Sequence, residues 1–319
     1  MSHKIVFLDT ATIPTHITLP TPSFPHQWQS YPITTSDQIV ERCRDASILI
    51  TNKVMLNKDT LSQLPKLQLI AIAATGTNNV DLAACQALGI KVCNIRNYAA
   101  QSVTEHVMGM IFSLRRNLFG YHSDIQNGEW QRHGQFCFFT HPIGNVSGTT
   151  LGIIGRGNLG QAVGTTAKAL GMKVMFAEHK GADHCRDGYY PFEEVITQAD
   201  VISLHCPLTE KTQNIIEKTT LKAMKNNAIL INTGRGGLVD EEALVQALQE
   251  GEIAAAGVDV FTEEPANELN PLIAQAHLPN LLLTPHVAWG SDSAITTLVH
   301  QLFENIQCFV EGRPQNLVV

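Results

Sequence analysis

Six short apolar runs stand between Leu151 and Leu283, each separated from the next by a stretch long enough for a helix. The strands they predict are Leu151–Ile154, Lys173–Ala177, Val201–His205, Ala228–Asn232, Ala254–Val258 and Leu281–Leu283. Parallel neighbours need a long crossover, and the crossover helices cover both faces of the sheet, so the strands read as apolar runs. This pattern predicts an α/β fold with a doubly wound, Rossmann-type parallel sheet. The first hundred residues repeat it on a smaller scale, with runs at Ile5–Leu8, Ser47–Ile50, Leu69–Ala73 and Lys91–Cys93. A second, smaller α/β domain is expected there, and 319 residues with 44% apolar content can fill two cores.

Ser102-Val103-Thr104-Glu105 has the form of a capping box, and Val103, Val107, Met110, Ile111 and Leu114 follow at helical spacing. A helix is expected to begin here, either crossing between domains or serving as an ordinary core helix. Ile295, Leu298, Leu302, Ile306 and Phe309 mark another helix within Ser291–Val310, read as returning the chain to the first domain. The predicted division is residues 1–100 with 290–319, and residues 101–289. Between Gly128 and Ser147, Trp130, Phe136, Phe138 and Phe139 suggest an apolar loop that either meets another subunit or packs within the chain.

A net charge of −7 offers no basic field, which argues against nucleic acid or an anionic membrane as partner. The apolar start Ile5–Leu8 ends at Asp9, too short for a signal peptide, and no segment approaches the roughly 18 apolar residues of a membrane helix. The seven cysteines contain no CxxC pair and read as reduced thiols, so a cytoplasmic location is expected. His179, His184 and Cys185 lie close together, but no further ligand cluster completes a tetrahedral set; they read as a polar surface loop, and no metal is expected.

Gly155-Arg156-Gly157-Asn158-Leu159-Gly160 follows the Leu151–Ile154 run and opens a stretch with Leu159, Val163, Ala167 and Leu170 on one helical face. The first glycine permits the tight turn, the second lets backbone approach a pyrophosphate, and the third lets helix and strand pack closely. The helix N-terminus adds N–H groups and partial positive charge. This context predicts a dinucleotide site. Glu178 stands at the end of the next run, 18 residues past the last glycine. An acid there accepts from both ribose hydroxyls and repels a 2′-phosphate, favouring NAD over NADP, while His179 and Lys180 soften the discrimination.

Asn232-Thr233-Gly234-Arg235-Gly236-Gly237-Leu238-Val239-Asp240, Gly257-Val258-Asp259-Val260-Phe261-Thr262-Glu263-Glu264-Pro265 and Thr284-Pro285-His286 then follow in order. Together with the glycine loop they resemble the D-2-hydroxyacid dehydrogenase family over nearly the whole chain. The resemblance implies reduction of a 2-keto acid by NADH. Such chemistry needs a fixed cation for the carboxylate, a proton donor for the developing alkoxide, and a partner that keeps the donor oriented and charged. Arg235, His286 and Glu264 are suitable types, each just past a predicted strand, at the carboxyl edge where ligands bind. Arg235 would grip the carboxylate and carbonyl oxygen with two prongs, and His286 would move the proton. Glu264, directly before the proline as in the family motif, is chosen over Glu263 as the partner that fixes the imidazole and favours its protonated form. The same resemblance assigns Asp259 to the nicotinamide end, and Cys206, Pro207, Thr212 and Thr233 to cofactor contacts.

Ala74-Thr75-Gly76-Thr77-Asn78-Asn79-Val80-Asp81 is similar to the family's substrate loop, whose N–H groups hold the carboxylate. Thr75, Gly76, Thr77 and Tyr98 are therefore expected substrate contacts, with Ser102 at the start of the nearby helix. Together with Asn97-Tyr98-Ala99-Ala100-Gln101-Ser102-Val103 and Thr284-Pro285-His286-Val287-Ala288-Trp289, this loop resembles the glycerate dehydrogenase, or hydroxypyruvate reductase, branch. Trp289 replaces a small residue of the phosphoglycerate dehydrogenases and leaves less room for a phosphate, and an end at Val319 leaves out their regulatory domain. Gly290 departs from the alanine of that branch. The resemblance implies action on hydroxypyruvate, with glyoxylate as a smaller substrate, and a homodimer is expected. A D-lactate-type or broad 2-keto-acid reductase, and an NAD(H)-sensing scaffold or corepressor, stay open.

Overall fold

A computed structural model of the chain describes residues 2–319. They form two compact units, one made of the residues up to Ala99 together with Gly290–Val319, the other of Ala100–Trp289. The first unit holds β1 (His3–Phe7), β2 (His26–Ser30), β3 (Ile48–Thr51), β4 (Leu69–Ile72) and β5 (Lys91–Cys93). The second holds β6 (Thr150–Ile154), β7 (Lys173–Ala177), β8 (Val201–Leu204), β9 (Ile229–Asn232), β10 (Ala255–Val258) and β11 (Leu281–Leu283).

In the first unit the order is β2-β1-β3-β4-β5 with every pairing parallel, the flavodoxin-like arrangement. Every residue of β3 and β4 is buried, as a strand covered on both faces requires. Strand β2 is the element that apolar patterning does not announce. Its sequence His26-Gln27-Trp28-Gln29-Ser30 is mostly polar because it is an edge strand with no fully buried residue. Trp28 nevertheless stacks on Phe303 of the helix Asp292–Val310, with centroids 5.7 Å apart. That helix is capped by the Ser291 hydroxyl and tied to the segment after β5 by Asn305 Nδ2, which donates to the Asn94 carbonyl at 3.0 Å. The chain's last residues cover the other edge: Cys93 pairs antiparallel with Leu317, and the Val318 N–H donates to the Val92 carbonyl at 2.8 Å.

In the second unit the order is β11-β10-β9-β8-β6-β7, again all parallel. All six expected strands are present; the run at Val201 ends at Leu204 rather than His205. The chain starts at β6, steps outward to β7, and returns past β6 to β8, so the direction of winding reverses between β6 and β8. In open α/β sheets ligands bind at the carboxyl ends of the strands beside such a reversal.

Two local expectations change. The helix Ala100–Arg115 begins before Ser102, whose hydroxyl donates to the Ala288 carbonyl at 2.8 Å instead of capping. Ser102 thus ties the helix to the segment after β11. The stretch from Gly128 includes a short helix, Glu129–His133, and its aromatics divide. Phe138 stacks on His133 at 5.0 Å, whereas Phe136 and Phe139 are 93% and 77% exposed. Among the described residues no helix is long and apolar enough to cross a membrane.

Candidate active site

Strand register sets the geometry of the site. Ala177, Ile154, Leu204, Asn232, Val258 and Leu283 pair across the six strands as one row at their carboxyl ends. The next residues along the chain are Glu178, Gly155, His205, Thr233, Asp259 and Thr284. Neighbouring strands lie about 4.8 Å apart, so Glu178 lies one strand from the glycine loop and, five strand spacings away, roughly 24 Å from the segment that carries His286. The sequence candidates of this unit are spread along a single edge.

Each glycine of the loop has a separate cause. Gly155 has φ +103°, and a Cβ there would stand 2.5 Å from the Cys206 backbone nitrogen, so β6 can end beside β8 only without a side chain. A Cβ on Gly160 would lie 2.0 Å from the Gly155 carbonyl, where the helix Asn158–Ala169 crosses the turn. Gly157 meets no protein atom within 4 Å. Its bare Cα faces open space at the helix N-terminus, where a pyrophosphate would approach. Leu159 is half-buried; Arg156 and Asn158 are exposed.

Glu178 is 4% exposed, and its carboxylate is gripped by Arg186, with Nε to Oε2 at 2.7 Å and Nη2 to Oε1 at 2.6 Å. The backbone N–H groups of His179 and Arg186 also donate to it, at 2.9 and 3.1 Å. The Arg186 fork, with those N–H groups, holds the carboxyl down to about 2. Lys180 turns away to Glu217 at 3.1 Å.

After β8, Thr212 Oγ1 donates to the Pro207 carbonyl at 2.7 Å and closes the loop that carries Cys206 and Pro207. Burial pushes the Cys206 thiol up to about 11, which keeps it protonated. His205, a residue that sequence reasoning missed, has its Nε2 2.8 Å from Ser203 Oγ, and burial lowers its pKa to about 4. His205 Nδ1 and Thr233 Oγ1 are buried without a hydrogen-bond partner, both on the edge a dinucleotide would cover. The open face at Gly157 and these two polar atoms fit a bound cofactor.

Arg235 stands on a turn braced by Asn232, whose Nδ2 donates to the Arg235 carbonyl at 2.9 Å and whose Oδ1 accepts the Gly234 N–H at 3.1 Å. Arg235 is half-buried, and Nη1 donates to the Gly234 carbonyl at 2.7 Å. At Gly236 a Cβ would fall 1.9 Å from the Phe261 carbonyl carbon, so this turn packs backbone against backbone on the turn after β10. There the Phe261 N–H donates to Glu264 Oε1 at 3.0 Å, and Glu264 Oε2 meets His286 Nδ1 at 2.6 Å. The side chains of the pair are 31% and 24% exposed, so solvent still reaches them.

His286 has φ +56°, a left-handed conformation that costs a non-glycine residue about 1–3 kcal/mol unless its surroundings enforce it. Asp259 supplies the enforcement. Fully buried, it accepts the N–H groups of Val287 and Ala288, each at 2.9 Å, together with the Thr284 hydroxyl, and its own carbonyl takes the His286 N–H at 2.7 Å. His106, on the helix Ala100–Arg115, adds a contact to Thr284 Oγ1 at 3.1 Å. Trp289 Nε1 donates to the His286 carbonyl at 2.9 Å, which ties the indole to the turn that carries His286. The sequence carried no signal for His106, which acts only through Thr284, a neighbour met in the fold, whereas Asn232 opens the motif that carries Arg235.

The remaining candidates lie in the first unit. Thr75, Gly76 and Thr77 follow β4; the Thr75 hydroxyl donates to the Ile95 carbonyl at 2.7 Å, and Asn94 Nδ2 donates to the Thr75 carbonyl at 2.8 Å. Tyr98 is half-buried in the segment after β5.

Residues 108–288 match the family model described as D-isomer specific 2-hydroxyacid dehydrogenase, NAD binding domain. The chain is 49% identical over 319 residues to a glycerate dehydrogenase of Methylorubrum extorquens, which covers 100% of this chain and 99% of that protein. It is 34% identical over 291 residues to a hydroxypyruvate reductase of Blautia hydrogenotrophica, covering 90% of this chain and 89% of that one. Among solved structures, a D-lactate dehydrogenase from Aquifex aeolicus complexed with NAD and lactic acid superposes with a TM-score of 0.82 at 26% identity, covering 99% of each chain.

Proposed function

Because the chain belongs to the D-isomer specific 2-hydroxyacid dehydrogenases, an NAD-binding enzyme family, we propose that it reduces hydroxypyruvate to D-glycerate with NADH, and glyoxylate to glycolate. The observation that carries this reading is the 2.6 Å pairing of His286 with Glu264 on the edge that also holds Arg235 and the glycine loop. When bound, NADH supplies a hydride to carbon 2 of the keto acid. Arg235 takes the substrate carboxylate and the carbonyl oxygen, a two-pronged contact that suits a guanidinium. His286, its Nδ1 committed to Glu264, delivers a proton from Nε2 to the oxygen that becomes the alcohol. Glu264 orients the ring and offsets its charge. In the reverse direction the same imidazole takes the proton back.

The first turn of the helix Asn158–Ala169 receives the pyrophosphate, with Gly157 leaving it room, and Glu178 is the residue assigned to the ribose. Thr233 and the loop of Cys206, Pro207 and Thr212 complete the cofactor contacts, and the buried Asp259 acts behind them by holding the His286 turn. Thr75, Gly76 and Thr77 are assigned to the substrate carboxylate, and Tyr98 and Trp289 to substrate size. The names of the full-length relatives and the tethered Trp289 ring support hydroxypyruvate over larger or phosphorylated acids. The exposed Phe119, Phe136 and Phe139 support a homodimer, and the free cysteines suit a reducing cytoplasm.

NADH consumption with hydroxypyruvate, glyoxylate, pyruvate and 3-phosphohydroxypyruvate tests the substrate. Hydroxypyruvate should give the highest kcat/KM and the phosphorylated acid the lowest. A preference for pyruvate would move the chain to the D-lactate-type reductases, and no turnover of any keto acid would remove the reading.

A further inference from the structure

The sequence pattern gives Glu178 to the ribose, yet its carboxylate is fully engaged. A carboxylate has about four acceptor directions. Oε1 takes the His179 N–H and Arg186 Nη2; Oε2 takes the Arg186 N–H and Nε. A ribose diol can bind there only by displacing the guanidinium. The Glu178 side chain is 3% exposed and fixed, whereas that of Arg186 is 53% exposed. Arg186 is the partner that can move.

A second guanidinium stands nearby. The Arg186 Cζ lies 4.2 Å from the Tyr189 ring centroid, and the Cζ of Arg156, from the glycine loop itself, lies 5.1 Å from the same centroid. Arg186 cancels the charge of Glu178, and Arg156, whose Nη1 also reaches the Asp187 and Gly188 carbonyls, brings a second cation to this corner. An unmasked acid here repels a 2′-phosphate, but a masked acid flanked by two guanidiniums does not.

We propose that Arg186 opens this enzyme to NADPH as well as NADH, by masking Glu178 and, with Arg156, binding the 2′-phosphate. The proposal rests on the assignment of Glu178 to the ribose and is independent of which keto acid is reduced. For NADH, Arg186 competes with the diol for Glu178. For NADPH, it is a partner. Its removal therefore acts on the two cofactors in opposite directions, whereas a merely structural role would weaken both.

Calorimetric titration of the ligand-free protein with adenosine 2′,5′-bisphosphate and with ADP reads this without turnover. Wild type should bind the 2′-phosphorylated probe. Arg186→Ala should bind it at least about tenfold more weakly, the scale of one lost charge-assisted hydrogen bond, with ADP binding unchanged or tighter. In steady state, the kcat/KM ratio of NADH to NADPH should rise by a similar factor. Arg186→Lys, which keeps the charge and loses the fork, should lie between and guards against a misfolded alanine variant. Failure of wild type to bind the 2′-phosphorylated probe would overturn the proposal. So would a parallel loss of both probes in the lysine variant. Failure of hydroxypyruvate as substrate would leave the titration readable.

Discussion

His286 Nδ1 lies 2.6 Å from Glu264 Oε2, while the other oxygen of that carboxylate accepts the Phe261 N–H at 3.0 Å. Glu264 is thus held by its own turn before it touches the imidazole. The imidazole inherits its orientation from the backbone after β10, and its place from the left-handed turn after β11.

Replacing His286 by alanine should lower kcat by about 10²–10⁴-fold, the usual range for a general acid, with NADH affinity by fluorescence titration unchanged. Glu264→Gln should reduce kcat about ten- to a hundredfold with little change in KM, because a neutral amide no longer offsets the imidazolium. Unaltered turnover in either variant would remove that residue from the mechanism.

The glycine loop separates folding from binding. Gly160→Ala places a methyl 2.0 Å from the Gly155 carbonyl, so Tm should fall. Gly157→Ala meets no protein atom, so Tm should hold while the Kd for NADH rises about tenfold or more. Equal NADH affinity in the Gly157 variant would mean that the pyrophosphate approaches elsewhere.

Asp259→Ala leaves the buried Ala288 N–H and the part-buried Val287 N–H without their acceptor. At about 1–3 kcal/mol for each unsatisfied group, urea unfolding should show a loss of roughly 2 kcal/mol or more. Activity should fall with it, since the same carboxylate fixes the His286 turn. Asp259→Asn keeps one carbonyl oxygen and should lose less of both. A variant as stable as wild type would show that water replaces the carboxylate at no cost.

Burial lowers the His205 pKa from 6.5 to about 4, so between those values the unfolded chain binds a proton that the folded chain does not. The neutral ring's contribution is whole above pH 6.5 and is lost as pH falls to about 4. Urea unfolding across this window should show wild type losing stability more steeply than His205→Gln. Parallel curves would mean that the ring is hydrated.

The second unit's strands were legible because parallel strands covered on both faces are apolar, and Gly155–Gly160 was legible because turn, approach and packing impose glycine at local spacing. Arg235, Glu264 and His286 were picked out by resemblance to a family motif, and each follows its strand within a few positions. Strand β2 was hidden by its polar edge position, and Ser102 was mistaken for a cap because its acceptor, Ala288, is 186 residues away.

The sequence by itself determined the two parallel sheets, which follow from periodicity, and the glycine turn, which follows from short spacing, while its likeness to a family motif pointed to Arg235, Glu264 and His286 as the proposed reacting side chains. Only the tertiary structure decided that Asp259 enforces the His286 turn, that Arg186 occupies Glu178, and that His205 and Thr233 keep unpaired polar atoms on the binding edge. Those outcomes depend on which donors reach an acceptor once loops close around the sheet, and no pattern along the chain records that distance.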